Sequence, residues 1–234
     1  MHELDEAERI ERVYATRART VPARNDSLLH DGNLFIAQER ARLFLRELRR
    51  HDPRPLAQQH ILEVGCGTGA WLRELVHWGA DPAQLCGVDL LRDRLERARE
   101  RLPAAVTLRA ANATGLPFAD GRFDLVLQST VFSSILDGGL RRRAAAEMMR
   151  VTRAGGLIVW YDARVDSPGN RDFAGVPRRQ IAALFADCRL HFSSLTLAPP
   201  LTRWLAPRST TLCQLLAALP WLRTHWLVFM RTPS

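Results

Sequence analysis

Residues 61–69 read ILEVGCGTG: a short apolar run passes directly into three glycines at alternate positions. An apolar run stopped by glycines predicts a buried strand, and glycine-rich turns let backbone N–H groups approach a ligand near the positive end of a following helix. Gly65, Gly67 and Ala70 satisfy the Gly-x-Gly-x-x-Gly/Ala fingerprint. Asp89 ends the next apolar run about twenty residues further on, where an acid grips ribose hydroxyls. From these residues alone the ligand is any that presents an adenosine diol, so NAD and S-adenosylmethionine both remain open.

Outward from this turn, strand-like and helix-like segments alternate, which predicts a largely parallel sheet covered on both faces. The expected strands are 60–64, 85–89, 106–110, 123–128, 157–161, 190–198 and 226–231. Helices are expected over 70–78, 92–101, 140–151 and 181–185, with no helical crossover before the last strand. Ahead of them lie a charged helix over 5–17, a polar break at PARNDSLLHDGN (22–33) and an amphipathic helix over 34–50. The fold class is therefore α/β: a Rossmann-like, doubly wound, seven-stranded sheet, mostly parallel with an antiparallel last strand, under an N-terminal helical cover. One domain over 1–234 is expected, with the cover at 1–58, the cofactor core at 59–162 and substrate-side elements at 163–234.

Composition limits the function classes. A chain of 234 residues with 47% hydrophobic content can bury a full core. The net charge of +8 suggests an anionic partner, yet all 33 basic residues are arginine, spread along the whole chain. RDRLERARERL (92–102) alternates acids and bases as a solvated helix face does. A non-catalytic nucleic-acid or protein-binding module stays open on this charge, but nucleic acid is not the expected partner. Cys66, Cys86, Cys188 and Cys213 lie far apart, without zinc-ligand or disulfide spacing, which predicts a reduced, cytoplasmic protein. The charged start MHELDEAERIERVY excludes a signal peptide, and no apolar run is long enough to span a bilayer.

Downstream segments separate the two ligands. EVGCGTG (63–69), VDLL (88–91), AANATGLPFADGRFDLVL (110–127) and RVTRAGGLIVWYD (150–162) stand in the order found in class I S-adenosylmethionine-dependent methyltransferases, and the chain resembles that family, type 11-like, across 59–161. The resemblance implies S-adenosylmethionine as cofactor, in place of the NAD(P) of an oxidoreductase. It implies that Gly65, Cys66, Gly67 and Gly69 hold the amino-acid arm through their backbone, with Glu63 near its ammonium. Asp89 would accept from both ribose hydroxyls, Leu90 would offer apolar surface to adenine, Ala113 and Gln128 would also contact the cofactor, and Asn112 would accept from the exocyclic amine of adenine. The family commonly has Asp at that position, so Asn112 keeps an acceptor and loses a charge. Plain structural roles, a dipole partner for Glu63 and a turn residue for Asn112, are the alternatives.

The sulfonium is already electrophilic, so aligning an acceptor is the main task of the rest of the site. QSTVFSSILD (128–137) follows the fourth strand, and Gln128, Ser129 and Ser133 are expected at the methyl end. No carboxylate stands at 128–131, so metal-independent chemistry is expected. Asp162, ending the fifth strand, is the candidate general base, with a cap or turn role as its alternative. Arg164 is a candidate substrate contact, and Tyr14 is expected either to close over the sulfonium or merely to pack. His30, His191 and His225 read as structural or exposed. Between the last two strands, 199–225 inserts an apolar stretch with tryptophan and arginine flanks, which suits a lid on the core or a peripheral contact at the inner membrane face. YDARVDSPGNRDFAGVPRRQI and LPWLRTHWLVFMR are also similar to methyltransferases that accompany polysaccharide and glycolipid assembly. The expected activity is SN2 methyl transfer, to an oxygen of a small molecule or glycan.

Overall fold

The computed structural model describes residues 3–20, 27–167 and 170–234. Seven strands form one sheet: β1 (Ile61–Val64), β2 (Leu85–Asp89), β3 (Thr107–Ala110), β4 (Phe123–Ser129), β5 (Thr152–Ala163), β6 (Arg189–Leu197) and β7 (Arg223–Arg231). Their spatial order is β3-β2-β1-β4-β5-β7-β6. β7 runs antiparallel to both of its neighbours, while every other pairing is parallel. The strands read from the sequence all form. β5 begins five residues earlier than expected, because 152–156 continue the ladder across an irregularity between Phe123 and Leu125.

The central strands are buried along their whole length, as sheets covered on both faces require. Alternation then divides the core in two. Ile61, Leu125, Leu157 and Phe229 face α2 (Asp31–His51) and α3 (Ala70–His77), where they meet Phe44, Trp71 and Leu72. Leu62, Val126, Ile158 and Val228 face the opposite side, against α5 (Gly138–Val151) and α6 (Arg178–Leu184). Phe44 pins α2 to the sheet, its ring 4.9 Å from Trp71, 5.3 Å from Trp78 and 5.8 Å from Phe229.

α1 (Glu3–Thr20) is a separate charged helix, and α4 (Arg92–Arg99) follows β2. The polar break between α1 and α2 lies in part at 21–26, outside the described residues; its last residues already belong to α2, whose N-cap His30 accepts from the Gly32 N–H at 3.1 Å.

The 199–225 insertion folds as two short helices, α7 (Pro199–Leu205) and α8 (Thr210–Ala217), and a final 3-10 turn at Pro220–Leu222. Leu205, Ala206, Cys213 and Ala217 pack with Phe35 of α2 and Leu197 of β6. The contact is close: a Cβ at Gly32 would fall 2.6 Å from the Arg203 Cα. Trp204, Leu215 and Trp221 point outward. No helix among the described residues is long and apolar enough to cross a membrane.

Candidate active site

The strand order reverses between β1 and β4, and the cleft of this fold opens there, beyond the carboxyl ends of the parallel strands. Its walls include Gly65, Asp89, Leu90, Asn112, Ala113, Ser129, Thr130, Val131 and Ser134, with Ile10 and Tyr14 of α1 across the top.

The glycine turn leaves β1 at once. Gly65 and Gly67 have φ of 71° and 53°, a region closed to most side chains. A Cβ on Gly65 would collide with Val131, and one on Gly67 with the Arg94 guanidinium. Asp89 fixes the turn from below. Its Oδ2 accepts from the Gly67 N–H at 2.7 Å and its Oδ1 from the Leu91 N–H at 2.9 Å. Each oxygen keeps a second lone pair for a ligand.

Asn112 lines the cleft and also serves the turn, its Oδ1 accepting from the Thr114 N–H at 3.1 Å. Its amide donates to Glu3 Oε1 at 3.3 Å, so a carboxylate from α1 stands beside it. Thr114 Oγ1 also donates to Glu3, which lowers the Glu3 carboxyl below its ordinary range.

On the opposite wall Thr130 has φ of 58°, an outlier for a β-branched residue, held by its N–H donating to the Tyr161 carbonyl at 2.8 Å. The loop after it is fastened from both sides. Buried Arg141 donates to the carbonyls of Phe132 and Ile135, and Asp162 Oδ2 accepts from the Ser133 N–H at 3.1 Å. From above, buried Glu6 of α1 accepts from the Leu136 N–H at 2.6 Å, and Arg9 donates to the Ser134 carbonyl. α1 is thus strapped across the cleft mouth. Tyr14 Oη lies 3.4 Å from Ser134 Oγ, and the Arg94 guanidinium sits 4.8 Å from the Tyr14 ring.

Several expected site residues stand elsewhere. Asp162 is fully buried, away from the cleft lining. Its oxygens serve the N–H groups of Ser133 and Ala163, and burial raises its carboxyl to about 6. Ser133 is likewise buried behind the wall that Ser129 and Ser134 face. Gln128 is sealed in β4, its Oε1 accepting from the Val131 N–H at 3.0 Å. Arg164 turns outward over Trp226, 4.9 Å from its ring, toward the insertion. Cys66 is buried, its thiol pushed well up by that burial. Glu63 is buried in the middle of the sheet, and burial together with the nearby Asp89 raises its carboxyl well above the usual range. Gly67 and Gly69 shape the turn without lining the cleft. The insertion does not line it either, so the element over the cleft is α1 and not 199–225.

Arg94, Thr130, Ser134 and the Glu3 and Glu6 straps were not legible in sequence. Arg94 sits within a charged stretch typical of a solvated helix face, and the straps join residues more than a hundred positions apart. A second, basic groove adjoins the cleft through Tyr14, Leu90, Arg94 and Thr130; Arg17, Arg92, Arg97 and Arg101 also line it, with Glu11 and Asp93.

Residues 61–156 match a methyltransferase domain. The chain is 34% identical over 119 residues to O-methyltransferase cnsE of Penicillium expansum, covering 49% of this chain and 41% of that protein. It is 34% identical over 144 residues to phthiotriol/phenolphthiotriol dimycocerosates methyltransferase 1 of Mycobacterium ulcerans, covering 54% of this chain and 47% of the relative. Both matches span less than half of the relative's length. An S-adenosylmethionine dependent methyltransferase from Mesorhizobium loti shares the fold, with a TM-score of 0.58 and 18% identity over 80% of this chain and 96% of that one.

Proposed function

We propose, from the premise that the chain carries a class I S-adenosylmethionine-dependent methyltransferase domain, that it methylates an oxygen of a small-molecule acceptor. The observation that carries this reading is the convergence of Gly65, Asp89, Asn112 and Tyr14 on one cleft, three of them within the stretch that matches the methyltransferase domain. The O-methyltransferase relative favours oxygen as the atom methylated.

When bound, S-adenosylmethionine would supply an electrophilic methyl for an acceptor oxygen, leaving as S-adenosylhomocysteine, with the acceptor proton released to solvent. Asp89 would accept from the ribose hydroxyls with the lone pairs its backbone contacts leave, and Leu90, Ala113 and Asn112, which line the same cleft, would hold the adenine. The backbone of Gly65 passes the amino-acid arm, and Glu63 beneath the turn supports it from the sheet. Tyr14 and Ser134 form a hydroxyl pair that orients the acceptor oxygen and receives its hydrogen bond. Asp162 is a positioning residue: with Arg141 it holds the 130–136 wall in place.

The arginine-lined groove favours an acceptor that carries a carboxylate or phosphate, since clustered cations with few carboxylates nearby attract anions. A transfer assay with labelled cofactor tests both parts, using matched neutral and anionic phenols, sugars and lipid-linked hydroxyls. Label on an oxygen, with turnover of anionic acceptors falling as salt rises, is expected. Label on carbon or nitrogen only would end the oxygen reading, and salt-insensitive turnover of neutral acceptors would end the anionic one. The outward Trp204, Leu215 and Trp221 also fit a peripheral membrane contact. In that case co-sedimentation with anionic vesicles is lost when Leu215 and Trp221 become serine; a wild type that stays in the supernatant dismisses it.

A further inference from the structure

Glu47 and His51 lie one turn apart on α2 and so share a face, and His191 of the edge strand β6 meets them there. Glu47 Oε2 is 3.3 Å from His191 Nε2 and 3.9 Å from His51 Nε2, and the three atoms lie within 4.8 Å of one another. Glu47 is only 3% exposed. Its Oε2 and the Nε2 of His51 are buried without a hydrogen-bond partner. Beyond the approach of His191 Nε2 to Oε2, a carboxylate oxygen and an imidazole nitrogen in this state lose hydration without a hydrogen bond in return, so the arrangement calls for a shared partner.

The surroundings hold the three groups in orientation. Arg46 Nε donates to the other carboxylate oxygen, Glu47 Oε1, at 3.1 Å, which leaves Oε2 directed at the imidazoles. The His51 ring stacks on Phe229, centroids 5.4 Å apart and planes 16° apart, and His191 is the cross-strand neighbour of that same phenylalanine. Fixed carboxylate and imidazole orientation of this kind is what supporting contacts provide around bound metals.

We propose that Glu47, His51 and His191 bind a divalent cation of the zinc class, which staples α2 to the edge strand β6. Two imidazole nitrogens and one carboxylate oxygen suit zinc, with water as fourth ligand. At zinc–ligand distances of about 2.0–2.1 Å, tetrahedral neighbours stand about 3.3 Å apart. The Glu47–His191 pair already has that spacing, and His51 Nε2 stands 3.9 Å from the same carboxylate oxygen. The partly exposed His191 gives the ion a path from solvent. None of the three residues lines the cleft, so the site is independent of methyl transfer.

The test is calorimetric titration of the untagged, metal-stripped full chain with zinc chloride, beside Glu47→Gln and His191→Ala proteins. One equivalent of zinc is expected, with affinity falling about tenfold or more in each variant. Zinc is also expected to raise the thermal unfolding midpoint of the wild type and not of the variants. His191 sits at a partly exposed strand position, so its variant is the one expected to keep the fold, checked by circular dichroism and S-adenosylhomocysteine binding. Should either variant not fold, His191→Gln takes its place. Absence of zinc binding at micromolar protein, which would leave a proton-sharing ion pair only, or equal zinc affinity in the His191 variant, overturns the proposal.

Discussion

Asp89 uses one lone pair of each carboxylate oxygen on backbone N–H groups from the two turns that rim the cleft, at Gly67 and Leu91. Removing it costs the two contacts that shape the rim and, on the proposed reading, the grip on the ribose. Asp89→Ala is therefore expected to weaken S-adenosylmethionine binding by roughly 2–4 kcal/mol, the scale of lost charged hydrogen bonds, as read by calorimetry; unchanged affinity would remove Asp89 from the site. Tyr14→Phe keeps the ring that meets Arg94 and loses the hydroxyl beside Ser134. It should lower turnover about tenfold and leave cofactor affinity intact, separating acceptor orientation from cofactor binding. Equal turnover would return Tyr14 to a packing role. At this scale the sequence was informative where the backbone demands a residue type, as at Gly65, and Asp89 stands on the cleft wall with it. The sequence was uninformative where position alone suggested a role. Asp162 ends its strand as a general base would, yet its side chain is consumed by holding the next loop.

α1 is held by polar contacts at the cleft more than by packing. Glu6 is the anchor, buried at 2% exposure, paired with Arg9 at 2.9 Å and accepting from Leu136. Glu6→Ala leaves that N–H unpartnered and takes from Arg9 its carboxylate partner, leaving it the Ser134 carbonyl and Asp172, at a cost of about 1–3 kcal/mol. Hydrogen exchange is expected to show faster exchange in α1 and 130–136 with β1 and β4 unchanged; unaltered protection of α1 would contradict the strap. Elements with an apolar period were legible: every central strand, α2 through Phe44 and Leu48, and the antiparallel β7, although two helices precede it where no helical connection was expected. The helices of the insertion were not resolved in sequence, because exposed Trp204, Leu212 and Leu215 beside buried Leu205 blur the period that distinguishes one buried side of α7 and α8. Its apolar character read as a lid or a membrane contact, whereas part of it is the core that joins α2 to β6.

For the whole molecule, buried titratable groups set opposing pH dependences. Burial raises Asp162 from 3.8 to about 6, so the folded chain holds a proton there that the unfolded chain releases. That contribution to stability is full below pH 3.8 and is lost as pH rises through about 6. Burial, with the Arg40 charge, lowers His225 from 6.5 to about 4; its contribution is present above pH 6.5 and is lost as pH falls through about 4. Against the burial that would raise them, hydrogen bonds from Arg54 hold Asp52 and Asp124 below their ordinary range, and these also lose stability on acidification. Asp162→Asn removes the opposing contribution. Denaturant unfolding at a series of pH values should then show a steeper loss for the variant than for the wild type between pH 6.5 and 4; parallel curves would contradict the assignment. Charge at the scale of the chain, +8 with all 33 basic residues arginine, did not single out a partner, whereas the arginines beside the cleft support the anionic acceptor proposed above.

The sheet order places one crevice where β1 and β4 part, and the account depends on that crevice receiving the adenosyl cofactor. A crystal structure of the full chain with S-adenosylhomocysteine tests this most directly. The expected result is ribose hydroxyls on Asp89, adenine between Leu90 and Ala113, and the sulfur facing Thr130 and Tyr14 under α1. Density for the molecule elsewhere, with Asp89 still bonded only to Gly67 and Leu91, would contradict it.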